Sequence, residues 1–172
     1  NRVAITKPVT VQSVNGPAHT SIVGYRHPGS VNGASAIRCA YLTDGAVLSG
    51  FTLTNGATQA SVAISRITNG TGGGVWCETA NAVVTNCVLT GNSAYVSGGG
   101  ARRGTLNNCS LTGNKVGNGA GGGAYAATLN GCVLTGNSAQ GGGGSFNGTL
   151  NHCTLAGNSA SSDGGGSAGG TL

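Results

Sequence analysis

CVLTGNSA (87–94), CSLTGNKV (109–116), CVLTGNSA (132–139) and CTLAGNSA (153–160) are four versions of one phrase, set 22, 23 and 21 residues apart. Between them lie glycine runs, and three of the intervals close on TLN. A period this short, written in strand-forming and turn-forming residues, describes a solenoid whose repeats stack as successive coils. Within CSLT, alternation puts Cys109 and Leu111 on one face and Ser110 and Thr112 on the other, as in a strand buried on one side. Gly113 and Asn114 then supply a sharp corner, both tolerating positive φ.

Superimposing the repeats produces columns. Cys87, Cys109, Cys132 and Cys153 share one inward position and Leu89, Leu111, Leu134 and Leu155 the next. Val84, Leu106, Leu129, Leu150 and Leu172 make a third apolar column one corner earlier. About 22 residues per turn suits a coil of three short strands, stacked in parallel at about 4.8 Å. Asn92, Asn114, Asn137 and Asn158 then form a corner ladder whose side-chain amides bond along the stack. The first half follows the same plan with insertions. Phe51 and Leu53 take the places of Cys87 and Leu89, but 36 residues earlier, which implies an inserted loop near 57–70. Val9 and Val11 belong to a still earlier coil, with a second insertion near 25–35.

Glycine is 35 of 172 residues, methionine is absent and only 6% of residues are charged. The regular return of Val, Leu and Cys separates this composition from a disordered chain. Eight Lys and Arg against three Asp and Glu leave a net charge of +5, but only Arg102 and Arg103 are adjacent among the basic residues singled out. Two Phe, four Tyr and one Trp, dispersed, do not make the basic, aromatic-lined surface of a nucleic-acid binder. No run of 18 apolar residues is present to span a membrane. The start at Asn1 and the closing GTL, which elsewhere runs on into NNC and NHC, suggest a fragment of a longer array or a repeating subunit.

The phrases ITKPVTVQSVNG, AVLSGFTLTNG and the CxLTGNSAxxxGGG repeats resemble right-handed parallel β-helix proteins of the pectin-lyase-like fold. LTGNSA followed by GGG is also similar to the repeats of polymorphic outer-membrane proteins and large secreted bacterial surface proteins. The resemblance covers the whole chain and implies an all-β, right-handed parallel β-helix of about six coils and three faces. It implies one domain over 1–172, with irregular coils in 1–86 and regular ones in 87–172. It also implies an extracellular or cell-surface location. A fold of this kind hosts many activities, so function rests on the residues.

Glycoside hydrolysis needs two carboxylates flanking one bond at roughly 5 to 9.5 Å. Only Asp44, Glu78 and Asp163 are available; Asp163 lies coils away from Asp44, Asp44 sits in the turn TDGA, and Glu78 has no partner at repeat spacing. Three dispersed acids do not build a calcium cluster, and the glycine runs lack the aspartate of a calcium-binding repeat. No CxxC occurs and His19, His27 and His152 fall at unrelated repeat positions, so zinc spacing is absent. The repeat cysteines read as small apolar fillers, while Cys39 and Cys77 on neighbouring irregular coils leave a disulfide open.

Thr90, Thr112 and Thr135 face outward like the threonine array of an ice-binding solenoid. Their column ends at Ala156, however, and the partner column mixes Val88, Ser110, Val133 and Thr154, which ordinary strand propensity explains. Trp76, Arg102, Tyr125 and Phe146 each follow a glycine run by two residues. This column either packs on itself over glycine backbone or meets a carbohydrate or protein partner. The sequons at Asn69, Asn108 and Asn147 are expected by chance in a chain rich in Asn and Thr.

The expected function is a non-catalytic structural or adhesive segment of an exported surface protein, without cofactor or metal. Its expected partners are carbohydrate, another surface protein or a second copy, with no nucleic acid and no membrane insertion. Two alternatives stay open: an end-to-end stacked subunit of an extracellular filament, and the β-helix part of a carbohydrate-active enzyme whose catalytic residues lie elsewhere. The filament reading rests on a match across the ends. GTL read into NRVAIT gives GTLNRVAIT, so that Leu172, Asn1, Val3, Ile5 and Thr6 fall where Leu106, Asn107, Cys109, Leu111 and Thr112 stand.

Overall fold

The computed structural model describes residues 1–60 and 68–172, and it is a parallel β-helix. Three stacks of short strands run along it and a fourth, shorter one joins them in the regular coils. The glycine-run stack comprises Val3–Ile5, Ala40–Leu42, Val75–Cys77, Ala101–Arg102, Ala124–Tyr125 and the start of Ser145–Asn151. The TLN stack comprises Thr10–Gln12, Val47–Ser49, Val83–Thr85, Thr105–Asn107, Thr128–Asn130 and the end of Ser145–Asn151. Ser145–Asn151 joins these two into one twelve-stranded sheet, on which Ser167–Thr171 also pairs. The threonine stack holds six strands, from Ser21–Val23 to Thr154–Ala156, and a short stack holds four, from Ser93–Ala94 to Ser159–Asp163.

A regular coil therefore uses four short strands, one more than the period suggested, hydrogen-bonded into three sheets. The corners explain the number. In one coil Gly98, Arg103, Asn108 and Gly113 each adopt a φ between 52° and 65°, a left-handed residue ahead of each strand, and Gly104 adds a second ahead of Thr105–Asn107 with a φ of 79°. Asparagine is among the few residues with a side chain that enter this region readily, and Gly113 enters it without a Cβ penalty. Asn114 does not share the left-handed backbone assigned to it from sequence; the glycine alone makes that bend.

The expected columns are in register. Leu53, Leu89, Leu111, Leu134 and Leu155 stand over one another, as do Val11, Leu48, Val84, Leu106, Leu129 and Leu150. Leu111, Leu106 and Leu134 are fully buried, and Cys87, Cys109 and Cys132 are buried beside them. Val9, grouped with Val11 from sequence, lies outside the column and is half exposed, because the strand begins only at Thr10. The 25–35 insertion is a loop closed by an antiparallel bridge between Tyr25 and Ile37. The other insertion, near 57–70, falls partly on 61–67, outside the described residues.

Asn92, Asn114 and Asn137 are buried rather than exposed at a corner. The Nδ2 of Asn114 donates to Asn137 Oδ1 at 3.0 Å and to Leu89 O at 2.8 Å, while its Oδ1 accepts from Asn92 Nδ2 at 3.0 Å. The same pattern repeats through Asn158, and at the other end Gly56 N donates to Asn92 Oδ1. This ladder dictates the glycine runs. A Cβ on Gly100 would come within 2.5 Å of Gly123 O and 3.1 Å of the Asn114 amide, so consecutive coils cross here with no room for a side chain.

Candidate functional site

The strands of the glycine-run stack carry the proposed contact residues in one outward column. Tyr41, Trp76, Arg102, Tyr125 and Phe146 are register partners in that order, Tyr41 extending the set read from sequence. Tyr41 lies 35 residues before Trp76, across the insertion, and so escaped the repeat pattern. The side chains stack along the helix axis: Tyr41 on Trp76 with centroids 5.3 Å apart and planes at 7°, Tyr125 on Phe146 at 5.6 Å and 11°. Between the two pairs the Arg102 guanidinium sits 4.8 Å from the Tyr125 centroid.

Each ring thus covers the face of its neighbour. A Cβ on Gly121 would lie 2.8 Å from Tyr125 Cβ and one on Gly142 2.9 Å from Phe146 Cβ, so the ladder also roofs the glycine corners. The two rings of each pair cover one face of each other, while at the ends of the column Tyr41 and Phe146 have Ala4 and Ala168 as their outer neighbours. Arg102 Nε and Nη1 are buried without a hydrogen-bond partner, and burial, followed by the nearby Arg103, lowers the Arg102 pKa.

The corner beside this ladder holds two of the three acids. Leu42 pairs with Cys77, which brings the Asp44 turn against Glu78 on the next coil. Glu78 is held by several donors: Tyr41 Oη donates to its Oε1, Thr43 Oγ1 to its Oε2 at 2.6 Å, and Arg103 Nη1 to its carbonyl at 3.1 Å. Asp44 Oδ1 accepts from Thr79 Oγ1 and from Asn81 Nδ2, the latter at 3.1 Å. The Thr43 and Tyr41 hydroxyls pull the Glu78 pKa down. A general acid needs the opposite shift, toward the working pH. Asp163 stands apart, paired in register with Gly141 on the short stack.

The cysteines do more than fill space. Cys87, Cys109, Cys132 and Cys153 each direct the thiol to a carbonyl of the preceding coil, respectively Leu48, Val84, Leu106 and Leu129, at 3.3 to 3.8 Å. All six are free thiols. Cys39 and Cys77 do not meet as a disulfide: Cys39 precedes the strand Ala40–Leu42, whereas Cys77 ends the neighbouring strand opposite Leu42. Burial pushes both from 9.0 up to about 12 and raises Cys87 as well. The adjoining Cys132 thiol, followed by burial, raises Cys109 as well. Among the described residues no three His, Cys, Asp or Glu side chains converge as metal ligands.

The ends do not fit together as the sequence match suggested. Val3–Ile5 pairs with Ala40–Leu42 and belongs to the glycine-run stack, whereas the residues it was matched to, Cys109 and Leu111, serve the threonine stack. The first strand is thus already engaged on another face. Comparison with known proteins returns no matching family model, no matching curated protein and no matching solved structure.

Proposed function

We propose that the chain is a non-catalytic structural or adhesive β-helix segment of an exported surface protein, of the pectin-lyase-like kind that its LTGNSA and GGG motifs resemble. One observation carries this reading: the groups able to do chemistry are engaged with one another along the stack. Thiols donate to carbonyls, buried amides to amides, and rings and guanidinium cover each other. The two neighbouring carboxylates are held by hydroxyl and amide donors, with Glu78 biased toward the charged form rather than poised to donate a proton. Such a body suits the display of an extended surface at fixed spacing.

The test is location together with attachment. Antibodies raised against the folded chain should label intact source cells, and external protease should release it. Cells carrying Asp44→Asn, Glu78→Gln and Asp163→Asn together should attach as the parent does, while cells lacking the segment attach less. Recovery of the chain only from the cell interior, or loss of a polysaccharide-cleaving activity in the folded triple variant, would overturn the reading.

A further inference from the structure

The loop closed by the Tyr25–Ile37 bridge is an addition that the repeat does not require, and it is pinned to the body. Asn32 Nδ2 donates to Thr58 O at 3.2 Å and to Ser93 O at 3.3 Å, and Ser93 Oγ donates back to Asn32 Oδ1 at 3.0 Å. Arg26 Nη2 donates to Gly91 O at 2.6 Å, at the corner between the strands Val88–Thr90 and Ser93–Ala94. Under the edge of this loop lies a cleft of about 340 Å³. Arg26, Val31 and Asn32 line it from the loop, and Gly113, Lys115 and Gly117 from the next coil of the body.

Lys115 stands where the repeat places serine. Its register partners on the short stack are Ser93 and Ser138, followed by Ser159, and CSLTGNKV is the one phrase of the four with lysine at this position. Ser93 is buried where the loop bonds to it, whereas Lys115, one coil further, is exposed. The departure from the repeat thus coincides with the cleft. None of the three acids of the chain is near enough to neutralise it. Asp44 and Glu78 occupy the corner beside the ring ladder, and Asp163 ends a strand two coils beyond Lys115, opposite Gly141.

Two cations therefore share one cleft without a counter-charge from the protein. Like charges held together by a pinned loop repel, and an anion between them reverses the sign of both interactions. A guanidinium has five N–H donors, of which the bond to Gly91 O engages one, and an ammonium has three. A planar fork beside a mobile point charge is the combination that carboxylate and phosphate oxygens engage. A Cβ built on Gly113 or Gly117 would meet nothing within 4 Å, so the body side leaves room for ligand atoms close to the backbone. Small-molecule clefts run from about 300 to 1,000 Å³, which puts this one at the lower end, with Val31 as an apolar wall.

We propose that the cleft between the 25–35 loop and Lys115 binds a small oxyanionic molecule, its carboxylate or phosphate set between Arg26 and Lys115. The site is separate from the ring ladder and does not rest on the surface-protein reading.

The experiment is calorimetric titration of the purified chain at low salt with glucuronate, glucose 6-phosphate and, as the uncharged control, glucose. Wild type should bind at least one charged probe saturably and glucose not at all, and the binding should weaken as salt is raised. Binding of glucuronate alone would identify the group as a carboxylate, and of glucose 6-phosphate alone as a phosphate. Lys115→Ser installs the residue of the other three repeats, so the fold should persist by circular dichroism while affinity falls roughly tenfold or more. Lys115→Arg, which keeps the charge, should retain binding, and Lys7→Ser, on another corner, should bind as wild type does. Absence of saturable binding of both charged probes to wild type overturns the proposal. So does equal binding of glucose, or an unchanged affinity in folded Lys115→Ser.

Discussion

Replacing Asn114 by Ala tests whether the buried amide ladder holds the coils together. The side chain is fully buried and makes four contacts that alanine deletes. Asn137 Oδ1 keeps a donor, the Asn114 backbone N–H at 2.9 Å. Three groups keep none from that side: Leu89 O, Asn92 Nδ2 at its ladder contact, and the Asn92 N–H. An orphaned buried polar group costs about 1 to 3 kcal/mol, and a water entering the vacated space would hold the cost near the lower limit, so the loss should be about 3 kcal/mol. Asn130→Ala removes a rung of an outer ladder on the TLN stack, in which Asn151 Nδ2 donates to Asn130 Oδ1 and Asn130 Nδ2 to Asn107 Oδ1, each at 2.8 Å. Solvent replaces both bonds there, and the change should cost about 0.5 kcal/mol. Urea unfolding followed by circular dichroism compares the two. Because a solenoid need not unfold in one step, the shift is read at the regular coils, for instance from amide hydrogen exchange of the strands Ser110–Thr112 and Val133–Thr135. Equal midpoints for Asn114→Ala and Asn130→Ala would refute the reasoning.

Leu111→Asp should unfold the array while Ser110→Asp is tolerated, since a buried unpaired carboxylate costs several kcal/mol against about 0.5 at an outward position; equal thermal stability would mean a register wrong by one residue. A thiol reagent on native protein should leave Cys39, Cys77, Cys87, Cys109 and Cys132 unmodified and reach only the half-buried Cys153, and rapid labelling of two or more would contradict the inward column. The thiols of Cys39 and Cys77 rise from 9.0 to about 12 on folding, so the stability they contribute is complete below pH 9 and drains as the pH climbs toward 12. Melting temperature between pH 7 and 11 should therefore fall less steeply in Cys77→Ala than in wild type, and parallel slopes would refute this. Arg102→Tyr should raise stability by about 1 kcal/mol, completing the ring stack and removing two unpartnered N–H groups; a lower midpoint would show that the guanidinium is needed where it stands.

The register was legible wherever the repeat was regular. Leu89, Leu111, Leu134 and Leu155 could be aligned by eye because each position recurs after nearly the same interval, and an inward column tolerates only one polarity. The ring column was legible for the same reason down to Trp76 and no further, because the insertion hides Tyr41. Asp44 and Glu78 could be read from sequence as lying on neighbouring coils, and the Leu42–Cys77 pair places them so; what the sequence did not show is the set of hydroxyl and amide donors that holds them. Other features depend on contacts between coils that a linear pattern does not encode. The glycines at 99 and 100 are required by the Asn114 amide and the next coil's carbonyls, neither of which is local. The cysteine thiols read as apolar filler because their acceptors, such as Leu106 O for Cys132, lie a full coil earlier. Gly113 and Asn114 looked interchangeable as corner residues, and the structure divides the work, the glycine bending the chain and the asparagine bonding the stack.

Every surface described here depends on coils that stack in register, and the most direct test is a distance along the axis. Spin labels at Thr54→Cys and Ala156→Cys, in a chain that also carries Cys153→Ser to remove the one reachable native thiol, sit in one outward column four strand steps apart through Thr90, Thr112 and Thr135. At about 4.8 Å per step their Cα atoms should be about 19 Å apart, although about a hundred residues separate them in the chain. Pulsed electron resonance should return a single narrow distribution near that value, widened by the label linkers. A broad distribution, or one centred beyond twice that distance, would contradict the stacked parallel β-helix.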